Sequence, residues 1–206
     1  MSRALEAWHG AWRALRVTPA PGLLARLEAC YREPHRAYHT LQHLDECFAR
    51  LAEAQSLAPH LAEVRIALWF HDAVYETRAS DNEEASARWA RESLEAARAP
   101  AEAAARVAEL VLATRHAALP AGPDAQLLVD VDLSILGADE PRFDEYERQV
   151  RREYDWVAED AFRAGRARVL ESFLARPAIY ATPWFAGRLE QRARANLRRS
   201  LRALGA

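Results

Sequence analysis

Apolar residues recur along most of the chain at intervals of three or four positions, the spacing of helices that bury one face. The helix-forming residues alanine, leucine, arginine and glutamate are abundant, and no alternating run of β-branched residues is long enough to require a strand. The pattern therefore predicts an all-α fold. The predicted helices span about 2–16, 22–32, 39–57, 59–73, 81–98, 100–116, 124–136, 141–157, 159–175 and 184–203.

Prolines mark the joints between these helices, as at Pro59, Pro100 and Pro177. None of the breaks is long or biased enough in composition to act as a flexible linker between domains. We therefore predict a single compact helical domain over residues 1–206. Its core is expected at about 22–140, with additional C-terminal helices at about 141–206.

The amino-acid composition limits the kinds of partner that the protein is expected to have. All 28 basic residues are arginines, scattered among 30 acidic residues for a net charge of −2, so no nucleic acid polymer is expected as a partner. No apolar run approaches the roughly 20 residues of a membrane span, and no signal peptide is evident. Cys30 and Cys47 form no disulfide framework. A cytoplasmic protein is expected, and a homo-oligomer is compatible with the sequence.

Three segments place metal-ligand side chains within apolar, helix-forming stretches, where burying them without a purpose would be costly. In the first segment, His39 and His43 are one helical turn apart, so a continuous helix would direct both rings to one pocket. In the second, an apolar run leads directly into the pair His71-Asp72. In the third, 127–137, two aspartates interrupt an apolar helix.

The order of a histidine, a His-Asp pair and a distant aspartate in an all-helical chain resembles the HD-domain superfamily of metal-dependent phosphohydrolases. A bacterial branch described as predicted HD phosphohydrolases is similar over most of the chain. The similar segments are 38–43, 69–75, 81–83, 132–137 and 180–182. The resemblance implies an HD-type helical bundle that holds its metal site in the core.

Carried over position by position, the resemblance implies that the metal ligands are His43, His71, Asp72 and Asp132. Two alternatives stay open: His39 could replace or assist His43, and Asp130 could compete with Asp132. Two imidazoles and two carboxylates suit one divalent ion of Mn, Fe, Zn, Ni or Co better than Mg. Such an ion would polarise a phosphoryl oxygen and activate a water molecule.

Glu76 is the expected general acid or base, because it follows Asp72 by four positions and would share its face of a continuing helix. Asp72 is expected to take part in catalysis as well as in metal binding. The segment 71–77 is also similar to the catalytic segment of (p)ppGpp hydrolases. Those enzymes have two consecutive acids where this chain has Tyr75 and Glu76, so only the second acid matches and the substrate is left open.

Further polar residues near these segments are candidates for binding a substrate. Arginines are good bidentate partners of phosphate, and amide, acid and imidazole groups can orient a substrate or a water molecule. The expected substrate-binding residues are His39, Arg78, Asn82, Glu83, Arg115 and His116. The leading hypothesis is hydrolysis of a small phosphorylated molecule, with nucleotides among the candidates. The alternative is a nonenzymatic sensor of a nucleotide or metal that regulates a partner.

Overall fold

The computed structural model describes residues 3–205. Within this range the chain forms ten α-helices and no strand, which confirms the predicted all-α fold. Every predicted helix is present, and the predicted start of the first helix at residue 2 lies outside the described residues. The helices are α1 (Arg3–Ala14), α2 (Leu23–Cys30), α3 (Leu41–Ala54), α4 (Leu61–Phe70), α5 (Asn82–Ala96), α6 (Ala101–Ala113), α7 (Pro123–Asp132), α8 (Glu140–Glu153), α9 (Glu159–Leu174) and α10 (Pro183–Leu204). Two short 3₁₀ segments, Gln55–Leu57 and Leu133–Gly137, follow α3 and α7.

Helix α4 lies at the centre of the molecule. Its last five residues, 66–70, are all buried, and it packs against α1, α3, α5, α6 and α7. A helix that is apolar on all sides is stable only when other helices surround it. The Trp69 indole donates a hydrogen bond to the carbonyl of Ala4 at 3.2 Å, and its ring meets Trp8 edge to face. The apolar run before His71 therefore forms the innermost helix of the bundle.

The C-terminal helices fix the 3₁₀ segment Leu133–Gly137, which directly follows Asp132 in the chain. This segment packs against α8 and α10. At Gly137 a side chain would not fit, because an added Cβ would lie 2.7 Å from the Cβ of Leu189 on α10. Asn196 adds hydrogen bonds to the flanking carbonyls of Leu136 and Ala138, both at 2.9 Å. The C-terminal helices thus hold the end of α7 in place.

Most of the helices are somewhat shorter than predicted, and in α3, α4 and α6 the difference leaves ligand-type residues outside the helix. Helix α3 begins at Leu41 because the Thr40 side chain accepts a hydrogen bond from the backbone N–H of Gln42, which leaves His39 ahead of the helix. Helix α4 ends at Phe70 rather than at residue 73. Helix α6 ends at Ala113 rather than at residue 116, and three residues later the backbone takes a left-handed conformation.

Among residues 3–205, none of the helices combines the length and the apolar character that crossing a membrane requires.

Candidate metal centre

Two buried histidines face each other at the centre of the candidate site. His43 lies in the first turn of α3, and His71 directly follows the last residue of α4. Their Nε2 atoms are 3.1 Å apart, and both side chains are almost fully buried. Helices α3 and α4 pack together, so the fold joins two histidines that are 28 positions apart in the sequence.

Two carboxylates complete this group. The Oδ2 atom of Asp72 lies 2.9 Å from Nε2 of His71 and 3.4 Å from Nε2 of His43. The Oδ1 atom of Asp132 lies 3.3 Å from Nε2 of His43 and 3.6 Å from Nε2 of His71. We call these four residues the His–Asp cluster. Ligand atoms of His43, His71 and Asp132 all lie within 4.8 Å of one another and could hold a metal ion.

The donor atoms fit a divalent cation. The Nδ1 atom of His71 donates a hydrogen bond to the carbonyl of Leu68 at 2.8 Å, so in the neutral ring Nε2 carries a lone pair. At 3.1 Å, facing lone pairs on His43 and His71 would repel each other unless a cation or a shared proton lies between them. Although Nε2 of His71 lies 2.9 Å from the buried Oδ2 atom of Asp72, the two atoms are not oriented for a hydrogen bond, and no other group among residues 3–205 donates one to Oδ2. A metal ion would satisfy this oxygen.

The aspartates and histidines of the cluster stabilise each other's charged forms. Burial raises the pKa of Asp72, but the charges of His71 and His39 and the close approach of the His43 and His71 ring nitrogens together more than offset this effect and hold that pKa well below its usual value. Burial lowers the pKa of His71, but the charge of Asp72 and a hydrogen bond to Asp132 bring it well above its usual value. Both carboxylates are therefore ionised near neutral pH, and a metal ion has to displace protons from the imidazoles.

The turn that carries His71 and Asp72 is held by Arg36, which the sequence analysis missed. The buried Arg36 guanidinium donates hydrogen bonds to the carbonyls of Asp72 at 2.6 Å and Ala73 at 3.1 Å. The hydroxyl of Tyr31 donates to the carbonyl of Trp69 at 3.1 Å. These contacts satisfy carbonyls at and after the end of α4, which explains why the helix stops there.

His39 does not share a helix with His43, so the prediction that one helical face carries both rings is wrong. The Nδ1 atom of His39 instead donates to Oε2 of Glu153 at 2.8 Å, and its ring stacks against Tyr75 with centroids 4.0 Å apart. The other Glu153 oxygen accepts the backbone N–H groups of residues 37–39 at 2.7–2.9 Å. His43, and not His39, joins the cluster. No sequence signal pointed to Glu153.

Asp130 and Asp132 have separate tasks. Asp130 is fully buried, and its carboxylate accepts hydrogen bonds from the backbone N–H groups of Ala181 and Thr182 at 2.7 Å and from the Thr182 hydroxyl at 2.6 Å. These bonds anchor the start of α10 to α7 and leave Asp130 outside the cluster. Asp132 also accepts a hydrogen bond from Nε2 of His116 at 3.0 Å.

A cavity of about 650 Å³ adjoins the cluster, and His71, Asp72 and Asp132 contribute to its lining. Five of the six expected substrate-binding residues also line it: His39, Asn82, Glu83, Arg115 and His116. Arg78 does not, so its expected position at the site is wrong. Its exposed guanidinium lies over the Trp156 ring, 4.7 Å from the centroid, and the favourable cation–π contact keeps it there.

Glu76 is likewise absent from the lining of this cavity. Its expected position assumed that α4 continued past Asp72, but α4 ends at Phe70 and the Glu76 side chain is exposed. The Asn82 side chain fixes the Glu76 backbone, accepting from its N–H at 3.0 Å and donating to its carbonyl at 3.1 Å. The helical spacing that favoured Glu76 therefore does not apply.

Two residues at the end of α6 are held by specific contacts. The Arg115 guanidinium forms an ion pair with Glu84 at 2.7 Å. His116 has a left-handed backbone with φ of 56°, a conformation that is uncommon for residues other than glycine. Its carbonyl accepts a hydrogen bond from Arg176 at 2.7 Å. With the backbone in this conformation, the His116 ring reaches Asp132 and forms the hydrogen bond to its carboxylate.

Comparison of the chain with protein-family models, curated proteins and solved structures gave no match.

Proposed function

We propose that the protein is a metal-dependent phosphohydrolase that cleaves a phosphate ester or anhydride of a small molecule. In this proposal the His–Asp cluster holds one divalent ion, with Mn, Fe, Zn, Ni or Co favoured over Mg by the mixed nitrogen and oxygen donors. The observation that carries the proposal is a cluster of two buried histidines and two partly exposed aspartates, three of which line a cavity large enough for a small molecule. The resemblance to HD phosphohydrolases agrees with it.

When bound, a divalent metal supplies Lewis acidity that polarises a phosphoryl oxygen and makes water more acidic. The residues of the chain supply orientation and proton transfer. His71 keeps Nε2 directed at the cluster through its bond to the Leu68 carbonyl. His39 is oriented by Glu153, and because its Nδ1 atom is engaged there, Nε2 is left to hold or give up a proton.

Candidates for general acid or base are the titratable groups that line the cavity. His39 and Glu83 meet this condition, whereas the exposed Glu76 does not. We therefore favour His39 and Glu83 over Glu76 for proton transfer. Asp72 has a different part, because its carboxylate belongs to the cluster and balances the charge of the metal.

The first test is the metal content of the dialysed protein and of Asp72→Ala, measured by inductively coupled plasma mass spectrometry. We expect about one transition-metal ion per chain in the parent and little in the variant. Asp155→Ala is the matched control, since Asp155 is exposed and absent from the lining of the cavity. Phosphate release from nucleotides, alarmones and simple monoesters is then measured with that metal. No release from any of them would contradict hydrolysis.

A nonenzymatic sensor is the second candidate. The position of Glu76 favours it, because the acid that matches the (p)ppGpp hydrolase segment lies outside the cavity. A sensor would bind metal and a phosphorylated ligand without releasing phosphate. Calorimetric binding, combined with the absence of turnover across the same compounds, would favour the sensor over the enzyme.

A further inference from the structure

Helix α9 forms a wall of the cavity that contains the cluster residues. Its lining positions recur at helical spacing and therefore share one face of the helix. They are Ala161, Phe162, Gly165, Arg166, Val169 and Phe173. Val169 is 44% exposed and Phe162 is partly exposed, so this face is not closed over by another helix. A ligand that reached the metal would lie against it.

Most of the remaining lining is aromatic or aliphatic. Tyrosines contribute from the loop before α3, from the turn after α4 and from α8, and aliphatic residues contribute from the 3₁₀ segment Leu133–Gly137. A volume of about 650 Å³ lies within the roughly 300–1,000 Å³ typical of small-molecule sites. Beyond the cluster, the cavity therefore offers apolar surface to the organic part of a ligand.

The positive charges of the two lining arginines are already compensated. Arg115 pairs with Glu84, and the largely buried Arg166 pairs with Glu147. Glu83 adds a carboxylate to the same lining. A chain of several phosphates would bring additional negative charge that no free guanidinium in the lining meets. A single phosphoryl group, in contrast, brings less negative charge and could bind by direct coordination to a metal ion at the cluster.

The hydroxyl of Tyr38 gives a second polar contact for one phosphoryl group. Tyr38 lines the cavity and is 4% exposed, and its hydroxyl has no hydrogen-bond partner among residues 3–205. An unpaired buried hydroxyl is unfavourable, and an acceptor oxygen of a bound ligand would satisfy it. The ring of Tyr38 also contacts His43, with centroids 4.7 Å apart, so the residue lies next to the cluster.

We propose that the cavity selects monophosphate esters of apolar or aromatic alcohols and discriminates against nucleoside polyphosphates and alarmones. The phosphoryl group binds at the cluster, and the organic group packs between the tyrosines and α9. This inference rests on the proposed function for the position of the phosphoryl group. It goes further in naming the class of substrate.

Equilibrium binding tests the class without requiring turnover. Three nonhydrolysable probes are titrated calorimetrically into the Mn-loaded protein with Mn in excess: naphthylmethylphosphonate, methylphosphonate and adenylyl imidodiphosphate. We expect naphthylmethylphosphonate to bind at least about tenfold more tightly than either of the others. Methylphosphonate lacks an aromatic group for the apolar lining, and adenylyl imidodiphosphate brings additional negative charge and a polar ribose. Equal or reversed affinities, or no binding of any probe, would overturn the inference.

A positive charge placed on the cavity-lining face of α9 gives a second test of the ligand class. Val169→Arg introduces a free guanidinium into the cavity and should narrow or reverse the preference for naphthylmethylphosphonate over adenylyl imidodiphosphate. Leu112→Arg is the matched control, because Leu112 is 37% exposed on α6 and does not line the cavity. An unchanged preference in Val169→Arg, or an equal change in Leu112→Arg, would also overturn the inference.

Hydrolysis of 1-naphthyl phosphate and of ATP separates the two proposals. Tight naphthylmethylphosphonate binding without phosphate release from either compound would reject hydrolysis and keep the ligand class. Release from ATP with no preference among the binding probes would keep hydrolysis and reject the ligand class.

Discussion

The ring of His39 donates a hydrogen bond of 2.8 Å to Glu153, a buried carboxylate that lies 114 positions away in the sequence. The same carboxylate accepts three backbone N–H groups from residues 37–39 and the hydroxyl of Tyr75. One side chain of α8 thereby fixes the loop that precedes α3, the His39 ring and the Tyr75 ring. Each of these rings lines the cavity.

Glu153→Gln should destabilise the protein in a pH-dependent way. Burial raises the pKa of Glu153, but the charge of His39 and the surrounding hydrogen bonds lower it from 4.5 to about 2. A depressed pKa adds stability above the unfolded-state value, and this stability is lost as the pH falls through the folded-state value. We expect a loss of about 3 kcal/mol at pH 7, decreasing to about 1 kcal/mol at pH 3.

Urea unfolding at the two pH values measures this difference. Glu171→Gln is the control, because Glu171 is exposed on α9 and its replacement should change the free energy of unfolding by less than about 0.5 kcal/mol. A loss in Glu153→Gln that is equally large at pH 3 and pH 7 would show that shape, and not charge, accounts for the effect.

Replacing Asp130 and Asp132 by alanine should have different effects: the first should reduce stability, and the second should reduce metal binding. Asp130→Ala leaves the N–H groups of Ala181 and of the buried Thr182 without their acceptor, so it should cost about 2–5 kcal/mol in the free energy of unfolding. The folded variant should retain its metal. Asp132→Ala should lose most of the metal at a smaller cost in stability, because the Asp132 side chain is partly exposed and belongs to the cluster.

Metal analysis after dialysis, with urea unfolding in the presence of a chelator, measures both quantities for the two variants. If folded Asp130→Ala lost its metal, or if Asp132→Ala kept a full equivalent, the division of tasks between these aspartates would be wrong.

The cluster could be predicted from the sequence because its members are ligand-type residues in apolar surroundings. His71 and Asp72 directly follow the most apolar helix of the bundle, and Asp132 ends another largely buried helix. Burial of such groups is unfavourable unless something binds them, so the local pattern singles out the three segments. The choice of His43 over His39 and of Asp132 over Asp130 came from the resemblance to HD phosphohydrolases, because the pattern alone left both pairs open. The ten helices followed from the same pattern, because the spacing of apolar positions reports which face is buried.

Residues that act through distant contacts could not be predicted in this way. Glu153 and Arg36 are charged residues in segments with many other charges, and their contacts exist only after α8 and the 31–38 loop meet the end of α4. The position expected for Glu76 was wrong for a related reason. Side chains far away in the sequence satisfy the carbonyls at and after the end of α4, and they end the helix before Asp72.

Arg36→Ala should weaken metal binding although Arg36 contacts no proposed ligand atom. Its guanidinium supports the Asp72 and Ala73 carbonyls, so its loss would loosen the turn that carries His71 and Asp72. We expect the metal affinity to fall by about 10- to 100-fold. Competition with a chelating dye measures this affinity, and Arg36→Lys should recover it only in part because an ammonium group lacks the planar fork.

Arg32→Ala is the control for Arg36→Ala. The Arg32 side chain is 57% exposed and pairs with Glu28, so its removal should leave the metal affinity unchanged. Circular dichroism and urea unfolding establish that each variant is folded before the affinities are compared. An unchanged metal affinity in folded Arg36→Ala would reject a positioning role for this residue.

Glu83→Gln should reduce turnover far more than Glu76→Gln if the protein is the proposed hydrolase. Glu83 lines the cavity that contains Asp72 and Asp132, whereas Glu76 is exposed outside it. Loss of a general acid or base costs about 10²- to 10⁴-fold in rate and removes one limb of the pH profile. We expect this loss in kcat for Glu83→Gln, with metal content unchanged, and less than about a threefold change for Glu76→Gln.

The reverse result would mean that Glu76, the acid matched by the (p)ppGpp hydrolase resemblance, reaches the substrate. The 71–81 loop would then have to rearrange on binding, because Asn82 fixes the Glu76 backbone in a conformation that leaves the Glu76 side chain exposed and outside the cavity lining.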